Sequence, residues 1–348
     1  MAEPRPGLRD IPPYAAPQLD VPARLNTNEC PYGLPEGFRE DLTRSIREIE
    51  FNRYPERDCL PLREAIGAHV GHPPAGVWPA NGSNEVIQQL LLAYGGPGRR
   101  MLLFTPTYVL HAHLAWMTHT DLVDVDTPEP FTIGDVQLDE AVRLAPDVAF
   151  VCSPNNPTGN LQPLAAVERL ARELAGLVLV DEAYIEFGGQ TAAGLVARHD
   201  NVVVIRTFSK AFALAGARIG YCLASPLVVD DLQRVRLPYH LSAMSQVVGL
   251  TALRYSKEAA PILEAIRAER DRMYEAMVKL PGVHPFPSDA NFVLFRTERP
   301  AREVWQRLLD RGVLVRDMSV AVRGCLRVSA GTPEEGVLFL SALEEATE

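Results

Sequence analysis

The sequence predicts an α/β protein in which a large, mainly parallel sheet is followed by a smaller α+β region. Two observations lead to this prediction. Short apolar runs alternate with helical patterns between residues 70 and 255, and after residue 255 the rhythm changes to longer helices and separate strands. Continuous apolar strands that alternate with helices are typical of a parallel sheet covered on both faces. The later order of elements is typical of an α+β unit.

The N-terminal part begins with an extended arm. Its first 35 residues are rich in proline and lack a long periodicity, which is typical of irregular chain. Helical patterns follow at 41–49 and 61–70, with a break at NRYPERD (52–58) between them. Pro61 suits the first turn of the second helix, because a backbone N–H is not needed there.

Four apolar runs predict strands of the parallel sheet. They are MLLF (101–104), VAFVC (148–152), LVLVD (177–181) and VVVIR (202–206). The pattern at 163–175 predicts a helix between two of them. After residue 255 the patterns predict, in order, a helix at 261–280, a strand at 291–295, a helix at 301–312, strands at 313–317 and 325–331, and a closing helix.

The chain is long enough for more than one core, because single cores stop growing near about 250–300 residues. We therefore expect three parts. Residues 1–45 form the arm and part of the small domain, 46–255 the large domain, and 256–348 the small C-terminal domain.

Composition excludes several classes of protein. The net charge of −10 and the absence of a dense Lys/Arg block argue against a nucleic-acid partner. No apolar run approaches the roughly 20 residues of a membrane span. The N-terminus has no apolar signal segment, and the five scattered cysteines include no C-x-x-C pair. We expect a cytoplasmic protein without a disulfide framework or a metal site.

Polar residues follow the predicted strands, and ligands bind at the carboxyl ends of parallel strands. The segments that follow are TPTY (105–108), SPNNPTG (153–159), EAY (182–184) after the strand-terminal Asp181, and TFSK (207–210). Taken alone, SPNNPTG also fits a turn, and NGSNE (81–85) also fits a helix N-cap.

Asp181 and Lys210 are harder to explain structurally. A carboxylate at the end of an apolar strand loses its water unless a positive group meets it. The chain has three lysines, and Lys257 and Lys279 lie on charged helical faces. An amine near a buried site has a lowered pKa and can attack an aldehyde. Lys210 is therefore the candidate for a covalent imine.

The ordered motifs resemble the pyridoxal-phosphate aminotransferases of fold type I. They are GSNE, NNPTG, DEAY, TFSK and an arginine eight residues after the lysine. Within that group NECPYG, NRYP, SKAFALAGAR and RLPYHLS resemble the histidinol-phosphate aminotransferases. The resemblance extends from residue 14 to residue 332 and implies a large domain with a mainly parallel seven-stranded sheet plus a smaller α+β domain.

The resemblance implies roles toward pyridoxal 5′-phosphate. Lys210 would bind its aldehyde covalently and later move a proton, while Asp181 would pair with the ring nitrogen. Asn156 and Tyr184 would hydrogen-bond the phenolic oxygen, and Tyr108 would stack on the ring. The remaining cofactor ligands all serve the phosphate: backbone N–H groups of Ser83 and Asn84, the side chains of Ser209 and Arg218, and Tyr54 of a neighbouring subunit.

It also implies substrate residues and a homodimer with shared sites. Arg327 would bind a carboxylate, because a guanidinium can do so with two parallel hydrogen bonds. Arg316, together with Tyr14 of the arm, would recognise the substrate phosphate. Asn156 would contact the substrate as well. The partners would be a small amino donor and a 2-oxo acid acceptor.

The implied reaction converts L-histidinol phosphate and 2-oxoglutarate to imidazole acetol phosphate and glutamate, a step of histidine biosynthesis. Two alternatives stay open, and a third is disfavoured. An aromatic amino acid such as phenylalanine could be the donor, and a phospho-amino-acid decarboxylase shares most of these motifs. A regulator built on an aminotransferase-like domain would need a basic DNA-binding module, which the sequence lacks.

One metal-like motif is set aside. The pair H-A-H (111–113) has no carboxylate–histidine cluster after it, and residues two apart on a helix diverge. We expect a structural or surface role for both histidines and no metal.

Overall fold

The computed structural model of the protein describes residues 2–5, 7–11 and 16–348. In this part of the chain the α-helices are α1 Glu36–Arg47, α2 Leu60–Val70, α3 Ser83–Tyr94, α4 Val109–Met117, α5 Asp135–Leu144, α6 Leu164–Glu173, α7 Ala193–Val196, α8 Pro226–Val235, α9 Ala243–Arg254, α10 Ala260–Met277, α11 Ala301–Asp310 and α12 Pro333–Thr347. The strands are β1 Ala23–Arg24, β2 Val77–Ala80, β3 Arg100–Thr105, β4 Asp121–Asp126, β5 Val148–Cys152, β6 Leu177–Asp181, β7 Val202–Thr207, β8 Gly220–Leu223, β9 Val283–Pro285, β10 Phe292–Thr297, β11 Val313–Leu314, β12 Arg316–Asp317 and β13 Cys325–Ser329.

A seven-stranded sheet in the order β2-β8-β7-β6-β5-β3-β4 forms the centre of the molecule. Strands β4, β3, β5, β6 and β7 pair in parallel, and β8 runs antiparallel to both β7 and β2. The predicted α/β class with a mainly parallel seven-stranded sheet is confirmed. The four predicted strands are all present with bounds that agree within one residue.

Helices cover both faces of this sheet because successive side chains of a strand point to opposite sides. On β6, Val178 and Val180 pack toward α2, α5, α6 and α9, whereas Leu177 and Leu179 pack toward α3, α4 and α8. Every residue of β5, β6 and β7 is buried. This two-sided burial explains why those strands are apolar up to their carboxyl ends.

A second, antiparallel sheet in the order β12-β13-β10-β9 lies in the C-terminal part. Its inner side chains pack with α10, α11 and α12 in a separate apolar core. The segment 313–317, predicted as one strand, is divided. Its first half, β11, pairs in parallel with β1 of the N-terminal arm, and its second half, β12, pairs with β13. The division into domains after residues 45 and 255 stays a prediction.

The carboxyl ends of β5, β6 and β7 lie side by side, since Cys152 is in register with Asp181, and Asp181 with Ile205. The segments that follow these strands therefore meet at one edge of the sheet. Among the described residues, no helix is long and apolar enough to cross a membrane.

Candidate active site

A cavity of about 360 Å³ opens at this edge of the sheet. Eleven of the thirteen side chains predicted for the site line it: Ser83, Asn84, Tyr108, Asn156, Asp181, Tyr184, Ser209, Lys210, Arg218, Arg316 and Arg327. They come from the ends of β3, β5, β6 and β7, from the start of α3, from the turn before β8, and from β12 and β13. Only the fold brings these segments together, because they are spread over about 245 residues of sequence.

One end of the cavity is a cradle of hydrogen-bond donors. Helix α3 begins at Ser83, and its N-cap residue Gly82 has no side chain that could cap the first N–H groups. The guanidinium of Arg218 lies beside this turn, and its Nη1 donates to Ser209 Oγ at 3.2 Å. A Cβ on Gly82 would stand 2.5 Å from Arg218 Nη2, and a Cβ on Gly220 would stand 2.2 Å from Ser83 N. Glycine is therefore required at both positions for the donors to converge.

The amine of Lys210 borders the cavity, and its Nζ donates to the carbonyl of Thr27 at 2.9 Å. Burial, helped by the positive charge of Arg327, lowers the pKa of Lys210 to about 8. Near neutral pH a useful fraction of this amine is therefore unprotonated, as an attack on a carbonyl requires.

The carboxylate of Asp181 lies deep in the cavity and is 4% exposed. Its Oδ1 accepts the backbone N–H of Ala183 at 3.0 Å, and its Oδ2 lies 3.2 Å from Nε2 of His111. His111 is fully buried and contacts the rings of Tyr108 and Phe150.

Sequence reasoning missed His111 as a site residue, because it considered the H-A-H pair only as a metal motif. The spacing from Tyr108 could have indicated this role. His111 stands three residues after Tyr108 at the start of α4, so both side chains lie on one side of the first turn of that helix. In the described residues, no group of three His, Cys, Asp or Glu side chains could hold a metal ion.

Tyr184, Asn156 and Arg327 form a buried hydrogen-bonded chain along one wall. The amide nitrogen of Asn156 donates to Tyr184 Oη at 3.4 Å, and its Oδ1 accepts from Arg327 Nη1 at 2.6 Å. Burial raises the pKa of Tyr184 above its usual value, while the nearby charge of Arg327 lowers it in part. The phenol therefore stays protonated and can act as a hydrogen-bond donor.

The outer end of the cavity carries two arginines on neighbouring strands. Arg316 of β12 is in register with Arg327 of β13, so their side chains start from the same side of the sheet. Met318, Val320 and Ala321 of the loop after β12 complete this wall. Four cationic and three carboxylate side chains line the cavity in all, which favours an anionic ligand.

Tyr54 does not line the cavity of its own chain. It is 79% exposed, and its ring stacks on Tyr239 with centroids 4.4 Å apart. Its predicted role in a neighbouring subunit stays a prediction. Tyr14, predicted to contact the substrate, lies outside the described residues.

Four consecutive residues that no motif argument had assigned a role, Asn26, Thr27, Asn28 and Glu29, also line the cavity. They belong to the segment 25–35 between β1 and α1, which we call the strap. The carbonyl of Asn26 accepts from Arg327 Nη2 at 3.0 Å, and Asn28 Nδ2 donates to Tyr184 Oη at 3.0 Å. In this segment the sequence shows only the NECPYG motif, and that motif does not indicate which of its side chains face the site.

The donor set fits a phosphorylated aromatic aldehyde with a basic ring nitrogen. An uncapped helix N-terminus with an arginine suits the phosphate, a lysine of lowered pKa suits the aldehyde, and a buried carboxylate suits a protonated ring.

Comparison with known proteins agrees with this chemistry. Residues 22–343 match the family described as aminotransferase class I and II. A histidinol-phosphate aminotransferase of Frankia casuarinae is 48% identical over 97% of this chain and 89% of its own length. One from Thermobifida fusca is 48% identical over 99% of this chain and 95% of its own. The crystal structure of histidinol-phosphate aminotransferase from Sinorhizobium meliloti in complex with pyridoxal-5′-phosphate superposes with a TM-score of 0.89, covering 99% of this chain and 98% of that one at 24% identity, which shows the shared fold.

Proposed function

Because this chain belongs to the class I and II aminotransferases, we propose that it transfers the amino group of L-histidinol phosphate to 2-oxoglutarate with pyridoxal 5′-phosphate as cofactor. The products are imidazole acetol phosphate and glutamate, as in histidine biosynthesis. The observation that carries the proposal is one cavity that contains the Lys210 amine, the buried Asp181 carboxylate and the Arg218 cradle. Relatives at 48% identity that bear this enzyme's name support the choice of substrate.

The cradle would hold the cofactor phosphate. The N–H groups at Ser83 and Asn84 lie at the positive end of α3, and Arg218 and Ser209 add side-chain donors. Lys210 would bind the aldehyde end covalently through Nζ.

The ring would lie between these two anchors. When bound, pyridoxal phosphate supplies a carbon that carries the amino group and a protonated ring that withdraws electrons from the substrate Cα. Asp181, supported by His111, would keep the proton on the ring nitrogen by providing the opposite charge. Tyr108 would cover one face of the ring, and Tyr184 with Asn156 would donate hydrogen bonds to its phenolic oxygen.

The Lys210 amine would remove the proton from the substrate Cα and would deliver it to the cofactor carbon that carries the amino group. Its lowered pKa suits this exchange, because a general base works best with a pKa near the operating pH. Burial of Asp181, Tyr184 and Asn156 keeps water away from the reacting atoms.

Both proposed substrates carry an anionic group, and the site has one arginine for each kind of anion. Arg316 would bind the phosphate of histidinol phosphate in one half-reaction, and Arg327 would bind a carboxylate of 2-oxoglutarate in the other. Asn156, held by Arg327, would contact the substrate as well. Tyr14 of the arm would complete the phosphate site.

We also propose a homodimer with shared sites. Large apolar side chains are exposed near Tyr54: Phe51 is 70% exposed and Leu237 is 75% exposed. Apolar groups of this kind favour an interface. Tyr54 would then donate a hydrogen bond to the phosphate in the neighbouring subunit.

All five cysteines are free, which supports a reducing compartment such as the cytoplasm.

The first test is spectroscopic. Purified protein with pyridoxal phosphate should show a visible absorption band that survives gel filtration, and Lys210→Ala should abolish it. Lys257→Ala, a substitution at a lysine outside the cavity, is the matched control and should keep the band. A wild-type protein that stays colourless with ample cofactor sinks the proposal.

The second test separates the substrates. We expect kcat/KM for L-histidinol phosphate to exceed that for phenylalanine by at least about 100-fold, because a phosphate paired with arginine adds a few kcal/mol of binding. Arg316→Gln should reduce the ratio. Equal or inverted efficiencies would make this an aromatic aminotransferase. Release of CO₂ from a phospho-amino acid would indicate the decarboxylase instead.

A further inference from the structure

Asn28 is a buried residue whose side chain connects Tyr184, beside the seven-stranded sheet, with Ser329 of the antiparallel sheet. It is 1% exposed, lies in the strap between β1 and α1, and has a left-handed backbone with φ of 55°. Asparagine tolerates this conformation better than most residues with a side chain. Its side chain contacts Tyr184 after β6 on one side and Ser329 at the end of β13 on the other.

The hydrogen bonds of Asn28 define which way its amide faces. Its backbone N–H donates to Ser329 Oγ at 2.9 Å, and Ser329 Oγ donates its proton to Asn28 Oδ1 at 3.1 Å. Asn291 Nδ2 donates to the Asn28 carbonyl at 3.1 Å. Because Oδ1 is the acceptor for Ser329, the NH₂ group is the one that faces Tyr184.

This orientation determines where the proton of Tyr184 goes. A phenol oxygen has one proton to donate and lone pairs that accept. Tyr184 Oη accepts from Asn28 Nδ2 at 3.0 Å and from Asn156 Nδ2 at 3.4 Å. Asn156 is oriented in turn by Arg327, which donates to its Oδ1. With two amide donors on the protein side, the Tyr184 proton is left for an acceptor in the cavity.

We propose that Asn28 is a positioning residue that commits Tyr184 to donate its proton into the cavity. The inference rests on the proposed cofactor, whose phenolic oxygen is the acceptor. Strand β13 carries both Ser329, which orients Asn28, and Arg327, which orients Asn156, so one strand sets both amides that face Tyr184. The carboxylate-binding arginine and the cofactor-facing phenol are thereby fixed by a single element.

The consequence is measurable in the visible band of the bound cofactor. A hydrogen bond donated to an oxyanion stabilises it and lowers the pKa of the group. Removing the orienting amide lets the Tyr184 proton turn away and should raise the pKa at which the band titrates.

The experiment compares Asn28→Gly with Asn28→Asp. Glycine adopts the left-handed conformation freely, so it removes the amide without backbone strain. Aspartate keeps the shape and the Ser329 bond, but it presents a carboxylate oxygen that accepts the Tyr184 proton. We expect the pKa of the visible band to rise by about one unit in Asn28→Gly and by more in Asn28→Asp. A merely structural role predicts the opposite order, since aspartate preserves more contacts.

Tyr184→Phe provides the background that isolates the effect. In the Tyr184→Phe background, Asn28→Gly should cause no further shift of the band pKa. In the same background, Asn28→Asp shifts the band pKa only through the charge of its carboxylate, and this shift is subtracted from the shift that Asn28→Asp causes with Tyr184 present. Ser329→Ala removes the hydrogen bond to Asn28 Oδ1 and should raise the band pKa by a smaller amount than Asn28→Gly does. It replaces Asn28→Gly in the test if that variant does not fold. An unshifted band in folded Asn28→Gly or Ser329→Ala overturns the inference while leaving the cofactor proposal intact. A missing band in the wild type overturns the cofactor proposal itself.

Discussion

His111 Nε2 lies 3.2 Å from Asp181 Oδ2, and the imidazole is completely shielded from solvent. A carboxylate can only accept, so Nε2 carries the proton and donates it to Asp181. Nδ1 has no hydrogen-bond partner among the described residues. The histidine is therefore held by this contact and by ring packing against Phe150, whose centroid is 3.9 Å away.

Replacing His111 by phenylalanine should keep the volume and remove the donor. The buried Asp181 then loses a partner, which costs about 1–3 kcal/mol. We expect the free energy of unfolding in urea to fall by that amount and the affinity for pyridoxal phosphate to fall as well. His113→Phe changes the other histidine of the pair, which lies outside the cavity with its ring near Trp116, and should leave both quantities nearly unchanged. Equal effects of the two substitutions would remove His111 from the site.

Gly82→Ala should weaken binding of the phosphate specifically. Its Cβ would stand 2.5 Å from Arg218 Nη2, so the guanidinium must leave the cradle. Loss of a charge-assisted hydrogen bond predicts at least about a tenfold rise in the Kd of pyridoxal phosphate. The affinity for pyridoxal, which lacks the phosphate, should change much less.

The matched control for that change is Gly96→Ala. Gly82 and Gly96 both have positive φ, of 83° and 106°, so both substitutions strain the backbone. At Gly96, however, a Cβ meets no atom within 4 Å in the part of the chain that the structure describes. If both variants lose affinity equally, backbone strain rather than displacement of Arg218 is the cause.

Glu186 should make stability depend on pH. Its Oε2 is buried without a hydrogen-bond partner in the residues described, and burial raises the pKa of this carboxyl to about 7, although Arg206 lowers it in part. Between pH 4.5 and 7 the folded protein therefore holds more protons on this group than the unfolded chain does. Stability from this group is present at low pH and is lost as pH rises through 7.

Glu186→Gln mimics the protonated carboxyl and should remove this dependence. We expect the variant to match the wild type in unfolding free energy near pH 4 and to exceed it by about 1–3 kcal/mol at pH 8. Glu40→Gln, at an exposed position, is the control and should show no such difference. A gain at pH 4 as large as that at pH 8 would contradict the assignment.

Mixed dimers test the role of Tyr54. A dimer of Lys210→Ala chains should be inactive, and a Tyr54→Ala dimer should bind the cofactor weakly. After the two are mixed under conditions that exchange subunits, hybrid dimers contain one site with both native residues. We expect activity to recover toward a quarter of the wild-type level at equal mixing. If Tyr54 served its own chain, no hybrid site would be complete and activity would not recover.

Local patterns were enough to predict the parallel core. The runs that became β5, β6 and β7 are apolar except at their carboxyl ends, where Asp181, Arg206 and Thr207 stand, because every residue in them is buried between two layers of helices. The segment 313–317 was less predictable. Its division between β11 and β12 depends on pairing with β1 and β13, and neither partner is near it in sequence.

The amino-acid sequence by itself determined which side chains bear the chemistry, since Lys210, Asp181 and Arg218 stand in motifs next to strand ends. The tertiary structure decided how those side chains are oriented. Asn28 and His111 belong to no motif with an evident role, and they become neighbours of Tyr184 and Asp181 only because distant segments pack together. The direction of a hydrogen bond and the burial of its partners depend on residues that are distant in sequence and close in the fold. They therefore cannot be predicted from the local sequence around Asn28 or His111.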